Sequence, residues 1–517
     1  MNEQRTQTYL NLINQLLSCN DGDEPRIVQE NRELLDEGLV QVMVALAQQY
    51  ENAGRENEAQ WLIYIAQQLA EDLEIWSDET TEKVNTDQDY LTFFGEVLQL
   101  LTNDPDMNIK IIYPFFEKNL DKLDENLIAV LDNFVRNILL PSADSETART
   151  ITASIVNFSR LIQEFPHGDI SMNQEIAIAG NELVLTIDDD PIDRALTQNN
   201  LGIAYRNRIK GDKAENLEIA ISLYNEALRI RTFDAFPQNW AATQNNLANV
   251  YRERIMGDKA DNLDKAIATY TEVLKVYTFD AFPKQWAATQ NNLALAYSDR
   301  IIGEKAENLE KAIAAYQEAL KVYTFDAFPQ QWARIQNNLA IAYSNRIRGD
   351  KAENIKQAVM CYQNALQAYE TAGDFLNAAE MGLTLGKIKV DRGEWYQGLA
   401  YLEKSLKIYR QFDDLKSRAD TIYQIAHTHH LIGNHEKASI YYRDALRFYE
   451  YLKHDRGVAF CQASLGRLML QIGFVEKAEE LLKKATFIFK ELNNEQEIAK
   501  IAEVLNCLAK IKEKQAV

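Results

Sequence analysis

Residues 232–277 read TFDAFPQNWAATQNNLANVYRERIMGDKADNLDKAIATYTEVLKVY, and the same 46-residue frame returns on both sides of it. Thr-Phe-Asp-Ala-Phe-Pro opens at Thr232, Thr278 and Thr324, and Gln-Asn-Asn-Leu follows in step from Gln198, Gln244, Gln290 and Gln336. Carrying the leucine of the second motif along the chain gives Leu201, Leu247, Leu293, Leu339 and Leu385 at 46-residue steps, then Ile425, Leu465 and Leu505 at 40-residue steps. A period of this size marks a solenoid, in which one supersecondary unit stacks on copies of itself.

Within the unit, residues 240–254 place Leu247, Ala248 and Tyr251 on one side of a helix, so one face is apolar. Gly257 ends this helix A, Asp258 and Asn262 offer capping oxygens, and residues 263–277 restart the period as helix B, with Ala266, Tyr270 and Val273 inward. The next Phe-Pro step holds Phe282 extended and supplies Pro283 for the first turn of the following helix A. Neither helix buries its stripe alone, so stacked neighbours must supply the core.

Leu-Ala/Gly-x-x-Tyr on helix A and Ala-x-x-x-Tyr-x-x-Ala on helix B, as in Leu201, Gly202, Tyr205, Ala220, Tyr224 and Ala227, resemble the tetratricopeptide repeat (TPR) signature. The resemblance implies an all-α fold, a right-handed TPR superhelix preceded by an N-terminal helical bundle, with helix A on the concave wall. The usual TPR is about 34 residues long; here the connectors after helix B, and in the 46-residue units those between A and B, are longer. The 40-residue units, with Gly386, Ala426 and Gly466 at the small position, resemble kinesin light chain-like repeats. The expected layout is an acidic N-terminal helical domain over 1–140, a degenerate TPR-like pair over 147–187, seven repeats over 194–490 and a C-terminal capping helix over 496–512. Inside the first segment, 30–53 and 56–73 read as helical, 21–25 as a turn and 72–89 as acidic loops.

The N-terminal segment and the Arg-Ile-x-Gly-Asp-Lys-Ala-Glu-Asn-Leu connectors together resemble the amino-terminal half of cyanobacterial TPR proteins that end in a caspase-like CHAT protease domain. The likeness stops short of the protease and its His/Cys pair, so it implies no catalytic residue here.

Composition agrees with helix throughout: 9 prolines and 20 glycines in 517 residues leave few breakers. The net charge is -22, and 20 acidic against 5 basic residues fall within the first 100, which argues against phosphate backbones and anionic lipid as partners. The N-terminus has no basic stretch leading into an apolar run, and nowhere do 18 uncharged apolar residues follow one another, so a cytoplasmic protein is expected. Cys19, Cys361, Cys461 and Cys507 form no CxxC pair, which points away from disulfides and zinc. The recurring Gly-Asp-Lys lacks the phosphate-loop pattern, and no cofactor is implied.

Turning 100° per residue from Leu247 puts Asn245, Asn249 and Arg252 together on the face opposite the packed stripe. The TPR resemblance implies that residues at these positions contact bound peptides. The ladder Asn199, Asn245, Asn291 and Asn337 is therefore the first candidate ligand row, since an amide donates and accepts at once and can hold an extended main chain. Asn249 joins it, Arg206 and Arg252 add carboxylate-binding forks, and His427 and His430 fall on the same open side of a later repeat. The alternative is that asparagines tie helices together, for which the second row, Asn200, Asn246, Asn292 and Asn338, is better placed.

Arg208, Arg254, Arg300 and Arg346 end successive helices A, where cations complement the helix dipole; their spacing would also make a basic stripe for an acidic partner. His427, His429, His430 and His435 invite a metal, yet His429 takes the aromatic position of its repeat and no carboxylate or cysteine completes a set. Trp240, Trp286 and Trp332 read as packing residues that fix the angle between repeats.

The sequence contains no set of nucleophile, base and orienter. The expected function is a non-catalytic protein- or peptide-binding scaffold, for which the resemblance offers a caspase-like protease acting in trans as a partner. The alternative is a peptide-gated regulator resembling bacterial peptide-pheromone receptors, in which a short ligand shifts the superhelix between two conformations.

Overall fold

The 46-residue frame becomes a helical hairpin with two ordered connectors. In the quoted unit helix A starts at Pro237, where a missing N–H is harmless, and Phe236 before it lies at φ -139°, ψ 62°, outside the helical region but short of the extended conformation expected from the sequence. Helix B starts at Lys259 rather than at the expected 263, because Asp258 caps it: Oδ1 accepts from the backbone N–H of Asp261 at 2.9 Å. Asn262 is not a cap. Its Nδ2 donates to the Met256 carbonyl at 2.9 Å and its Oδ1 accepts from Arg254 Nη1 at 3.4 Å, which ties the loop to both helices. Gly257 turns the chain at φ +79°, where a side chain would be strained.

The structure, a computed structural model, describes residues 3–18, 34–52, 85–103, 108–139 and 145–515, with isolated positions between them. Among the described residues there are helices and turns but no strand. The chain divides into two compact units, residues 1–93 and 94–517. In the first, α1 (Glu3–Ser18) sets Tyr9, Leu12, Ile13 and Leu16 against Leu39, Val40, Met43 and Ala47 of α2 (Glu37–Asn52). Tyr9 OH donates to Asp36 Oδ1 at 2.6 Å beside the start of α2. The expected turn at 21–25 and nearly all of the expected helix over 56–73 lie outside the described residues, as does most of 72–89, whose end is helical from Asp87.

The second unit begins within α3 (Asp87–Asn103) and continues through α4 (Ile109–Glu117), α5 (Glu125–Phe134) with a π turn at Val135–Leu139, α6 (Ser145–Glu164) and α7 (Ile170–Ile187). Phe116 packs edge-to-face on Phe158 and Phe165 at centroid distances of 5.8 and 5.4 Å. The pair α6 and α7 approaches so closely that a Cβ at Gly180 would lie 2.2 Å from Ser159 Oγ.

Seven hairpins follow, each an A helix and a B helix: α8 (Pro191–Asn207) with α9 (Lys213–Ile230), α10 (Pro237–Glu253) with α11 (Lys259–Val273), α12 (Pro283–Asp299) with α13 (Lys305–Ala319), α14 (Pro329–Asn345) with α15 (Lys351–Thr371), α16 (Phe375–Asp391) with α17 (Trp395–Gln411), α18 (Leu415–Ile432) with α19 (His435–Tyr451), and α20 (Asp455–Gln471) with α21 (Val475–Glu491). After them α22 (Glu495–Gln515) packs on α21. Each helix lies against its sequence neighbours, A on B and B on the next A. Ala266, Tyr270 and Val273, with their counterparts Ala312, Tyr316 and Ala319, are buried in these seams.

The arginine that ends each of the first four A helices joins consecutive hairpins. Arg254 donates through Nε and Nη2 to the two carboxylate oxygens of Glu218, on the preceding B helix, at 2.6 and 2.7 Å. Arg208 with Glu175 and Arg346 with Glu310 repeat the fork, and Arg300 reaches Asp264 through Nε alone at 2.7 Å. Planar guanidinium against carboxylate is the strongest ion-pair geometry available. The row is therefore neutralised within the chain and does not form the bare basic stripe considered from the sequence.

Candidate functional site: the row of A helices

Consecutive A helices touch one another, α10 against α8 and α12, and α12 against α14, whereas consecutive B helices do not approach as closely. The A row is thus the tighter, inner side of the stack, and its outward side chains form a wall. Bonds that cross directly from one A helix to the next confirm the adjacency.

The asparagine ladder sits deeper than rotation about a single helix suggests, because the next A helix closes over part of it. Asn199 and Asn291 are 7% and 3% exposed. Asn246 Nδ2 donates to Asn199 Oδ1 at 3.2 Å, and Asn338 Nδ2 donates to Asn291 Oδ1 at 3.5 Å. Two members of the second asparagine row, Asn246 and Asn338, therefore bridge repeats, and they do so through the first row. Asn245 and Asn337 are half-buried instead. Asn245 accepts from Thr289 Oγ1 at 3.4 Å, and no hydrogen bond engages the Asn337 side chain among the described residues. Asn249 Oδ1 accepts from the buried Tyr270 OH at 2.6 Å, which leaves its Nδ2 toward the wall. Burial pushes the Tyr270 phenol up, so it stays a donor. One repeat earlier Ile203 takes the place of Asn249, and the buried Tyr224 OH has no partner.

Arg206 and Arg252 occupy the same position in consecutive repeats but not the same bonding. Arg206 is held by Glu253 of the next repeat, Nε to Oε2 at 3.1 Å and Nη2 to Oε1 at 2.5 Å. Burial opposes its charge, yet the Glu253 bond and charge outweigh this and keep the guanidinium above its ordinary pKa. Arg252 is more loosely placed, 3.5 Å from Asp299 and 3.8 Å from Glu253, and its buried Nε has no hydrogen-bond partner. The acidic partners Glu253 and Asp299 escaped the sequence reading, although each stands one residue beyond the arginine position. Ile341, exposed and at the Asn249 position of its repeat, was missed as well; its signal was a branched apolar residue where the helix turns away from its core.

The structure does not bring His427 and His430 together with these residues; they line the same row two repeats further on, in α18. His430 Nε2 lies 2.7 Å from Gln471 Oε1, and His427 Nδ1 lies 3.4 Å from Tyr442 OH. Burial lowers the pKa of both, with His430 and Arg467 adding to the effect on His427, and His435 and Arg467 to that on His430. His429 is buried and stacks parallel to Tyr441 at 5.7 Å. Among the described residues no three His, Cys, Asp or Glu side chains gather to hold a metal ion, and no helix is long and apolar enough to cross a membrane.

Stacked hairpins with a polar inner row define an α-solenoid whose free surface is an elongated wall rather than a pocket. Residues 286–324 and 376–450 each match a tetratricopeptide repeat model, so the chain carries tetratricopeptide repeats. No curated protein sequence matches it. Among solved structures it is similar to a signal transduction ATPase with numerous domains that carries a tetratricopeptide repeat sensor, from Pyrococcus horikoshii: 14% identity and TM-score 0.52 over 96% of this chain. This chain spans 65% of that protein's length. RapI in its apo form is similar at 13% identity and TM-score 0.47, over 78% of this chain and 98% of that one. The quorum sensor NprR of B. thuringiensis is similar at 14% identity and TM-score 0.40, over 70% and 99%. At such identities the likeness concerns the fold.

Proposed function

We propose that the chain is a non-catalytic scaffold that holds an extended segment of another protein along its row of A helices, with a caspase-like (CHAT) protease acting in trans as the candidate partner. One contrast supports this reading. Buried Asn199 and Asn291 use both ends of their amides within the chain, whereas half-buried Asn245 is bonded through its carbonyl alone, to Thr289. Its Nδ2, Asn337, the Asn249 Nδ2 and the loosely held Arg252 keep bonding capacity toward the open side. Amides at this spacing fit the main chain of an extended peptide, and Arg252 fits a carboxylate on it. His427 and His430 extend the same row. The test is selection of binders from a random peptide library on the purified chain, followed by affinities for N245A/N337A. Selected peptides should bind the variant about tenfold more weakly, as two lost hydrogen bonds imply, with unchanged melting. A library that yields no binder, or a variant that binds normally, would overturn the proposal.

A further inference from the structure

The Thr-Phe-Asp-Ala-Phe-Pro connector lies between a B helix and the next A helix, away from the inner row, and it is built identically three times. Thr232 Oγ1 accepts from the Ala235 N–H at 3.3 Å, Thr278 from Ala281 at 3.2 Å and Thr324 from Ala327 at 3.4 Å. The Phe236, Phe282 and Phe328 N–H groups donate to the same threonines' carbonyls at 2.9, 3.0 and 2.9 Å. Rigid turns of this kind hold whatever they carry in a fixed place.

They carry an aromatic pair and a bare carboxylate. Phe233 packs edge-on against Trp240 with centroids 5.2 Å apart, Phe279 on Trp286 at 5.2 Å and Phe325 on Trp332 at 5.4 Å. Phe233 and Phe279 nevertheless stay 49% and 46% exposed. Beside them Asp234, Asp280 and Asp326 are exposed, and no cation or hydrogen-bond donor meets their side chains among the described residues. The nearby cations are committed elsewhere: Lys275 to Glu272 and Lys321 to Glu318, both at 2.6 Å, and Arg229 to Glu226 at 3.1 Å. A cavity of about 410 Å³ opens next to the first pair, lined by Trp240, Gln244, Thr269, Thr271 and Glu272.

One cation of the chain already meets an aromatic ring of this edge, on the second connector phenylalanine beside the Phe/Trp pair. Lys284 Nζ lies over the Phe328 ring, 5.2 Å from its centroid. At the preceding connector the corresponding residue is Gln238, and Phe282 has no such partner. Half-exposed aromatic faces alternating with unpaired carboxylates attract ammonium and guanidinium groups by quadrupole and by charge.

We infer that this edge, formed by the connectors at 232–237, 278–283 and 324–329, docks a basic, extended segment of a partner polypeptide, one Lys or Arg per repeat. The cation rests on the Phe/Trp pair and its charge faces the aspartate. Nucleic acid is a poor occupant, because the aspartates would repel its phosphates. The site is separate from the inner row and stands or falls without it.

The experiment measures fluorescence anisotropy of a labelled Gly/Ser peptide of about 20 residues with evenly spaced arginines, against the same peptide with glutamates. D234N/D280N/D326N should weaken arginine-peptide binding about tenfold, the product of three weak exposed contacts. E215Q/D261N/E476Q, with the same charge change on other surfaces, should weaken it less than about twofold. N245A/N337A should leave it unaltered. Melting curves matching the unmodified chain exclude misfolding of these surface variants. Equal losses in the two charge-matched triples would reduce the effect to general acidity and overturn the inference. Failure to bind the arginine peptide, or loss of binding in N245A/N337A alone, would overturn it too.

Discussion

Replacing Arg254 by Met removes one complete clasp between hairpins and leaves Glu218 facing a seam without its partner. The pair makes two charge-assisted bonds at 2.6 and 2.7 Å, with side-chain exposures of 23% and 30%. It falls between an exposed pair, worth about 0.2–1 kcal/mol, and a buried one, whose breaking costs about 3–5 kcal/mol. About 2 kcal/mol is expected for R254M, and about the same for R346M, because the Arg346–Glu310 fork matches it at 2.8 and 2.7 Å. R300M should cost only about 1 kcal/mol, since Asp264 accepts from Nε alone. Urea unfolding of the single variants, with hydrogen exchange in residues 255–262, reads both the magnitude and its location. The double variant R254M/E218Q should restore part of the loss, giving a coupling of about 1 kcal/mol. Equal costs for Arg254 and Arg300, or no coupling between Arg254 and Glu218, would contradict the clasp.

The same clasps set an acid limit. The hydrogen bond from Arg346 holds the Glu310 carboxyl below its ordinary pKa, against the opposing effect of burial, so its stabilisation is present above the unfolded carboxylate value near about 4.3 and lost as pH falls through the lower folded value. Urea midpoints should therefore change little from this source between pH 7 and 5. His427 and His430 act earlier: burial lowers their folded pKa, so the unfolded chain binds protons first and stability falls as pH drops through about 6.5. Faster hydrogen exchange in 415–451 at pH 5.5 than at pH 7.5, beyond the intrinsic rate and abolished in H427Q/H430Q, checks this. G202A should destabilise the first repeat by about 1–3 kcal/mol, because the new Cβ would lie 2.7 Å from the Tyr224 ring; an unshifted urea midpoint would contradict the close packing.

The repeat was legible because stacking repeats its demands. Leu247, Ala266 and Tyr270 recur in step since each seam needs the same shapes, and Pro237 and Gly257 recur since each turn needs the same backbone. The inner row was legible only as far as one helix could show it. Rotation about helix A correctly separated Asn245 from Leu247, but the depth of Asn199 depends on Asn246, 47 residues away on the next helix. Likewise Arg254 and Arg252 look alike in sequence, and only stacking reveals that one is forked by Glu218 while the other hangs between Glu253 and Asp299. Helix B began earlier than its apolar period indicated because Asp258 sets the start, and the polar first turn adds nothing to the stripe.

Whether the row of A helices is the face that meets a polypeptide can be read directly by photo-crosslinking. A benzophenone amino acid at Ile341, on the A row and 46% exposed, is compared with one at Met360, on helix B and 49% exposed, in the presence of a library-selected peptide. Crosslinks at 341 and none at 360 are expected. Crosslinks at 360, with none at 341, would contradict the inner wall as the binding surface.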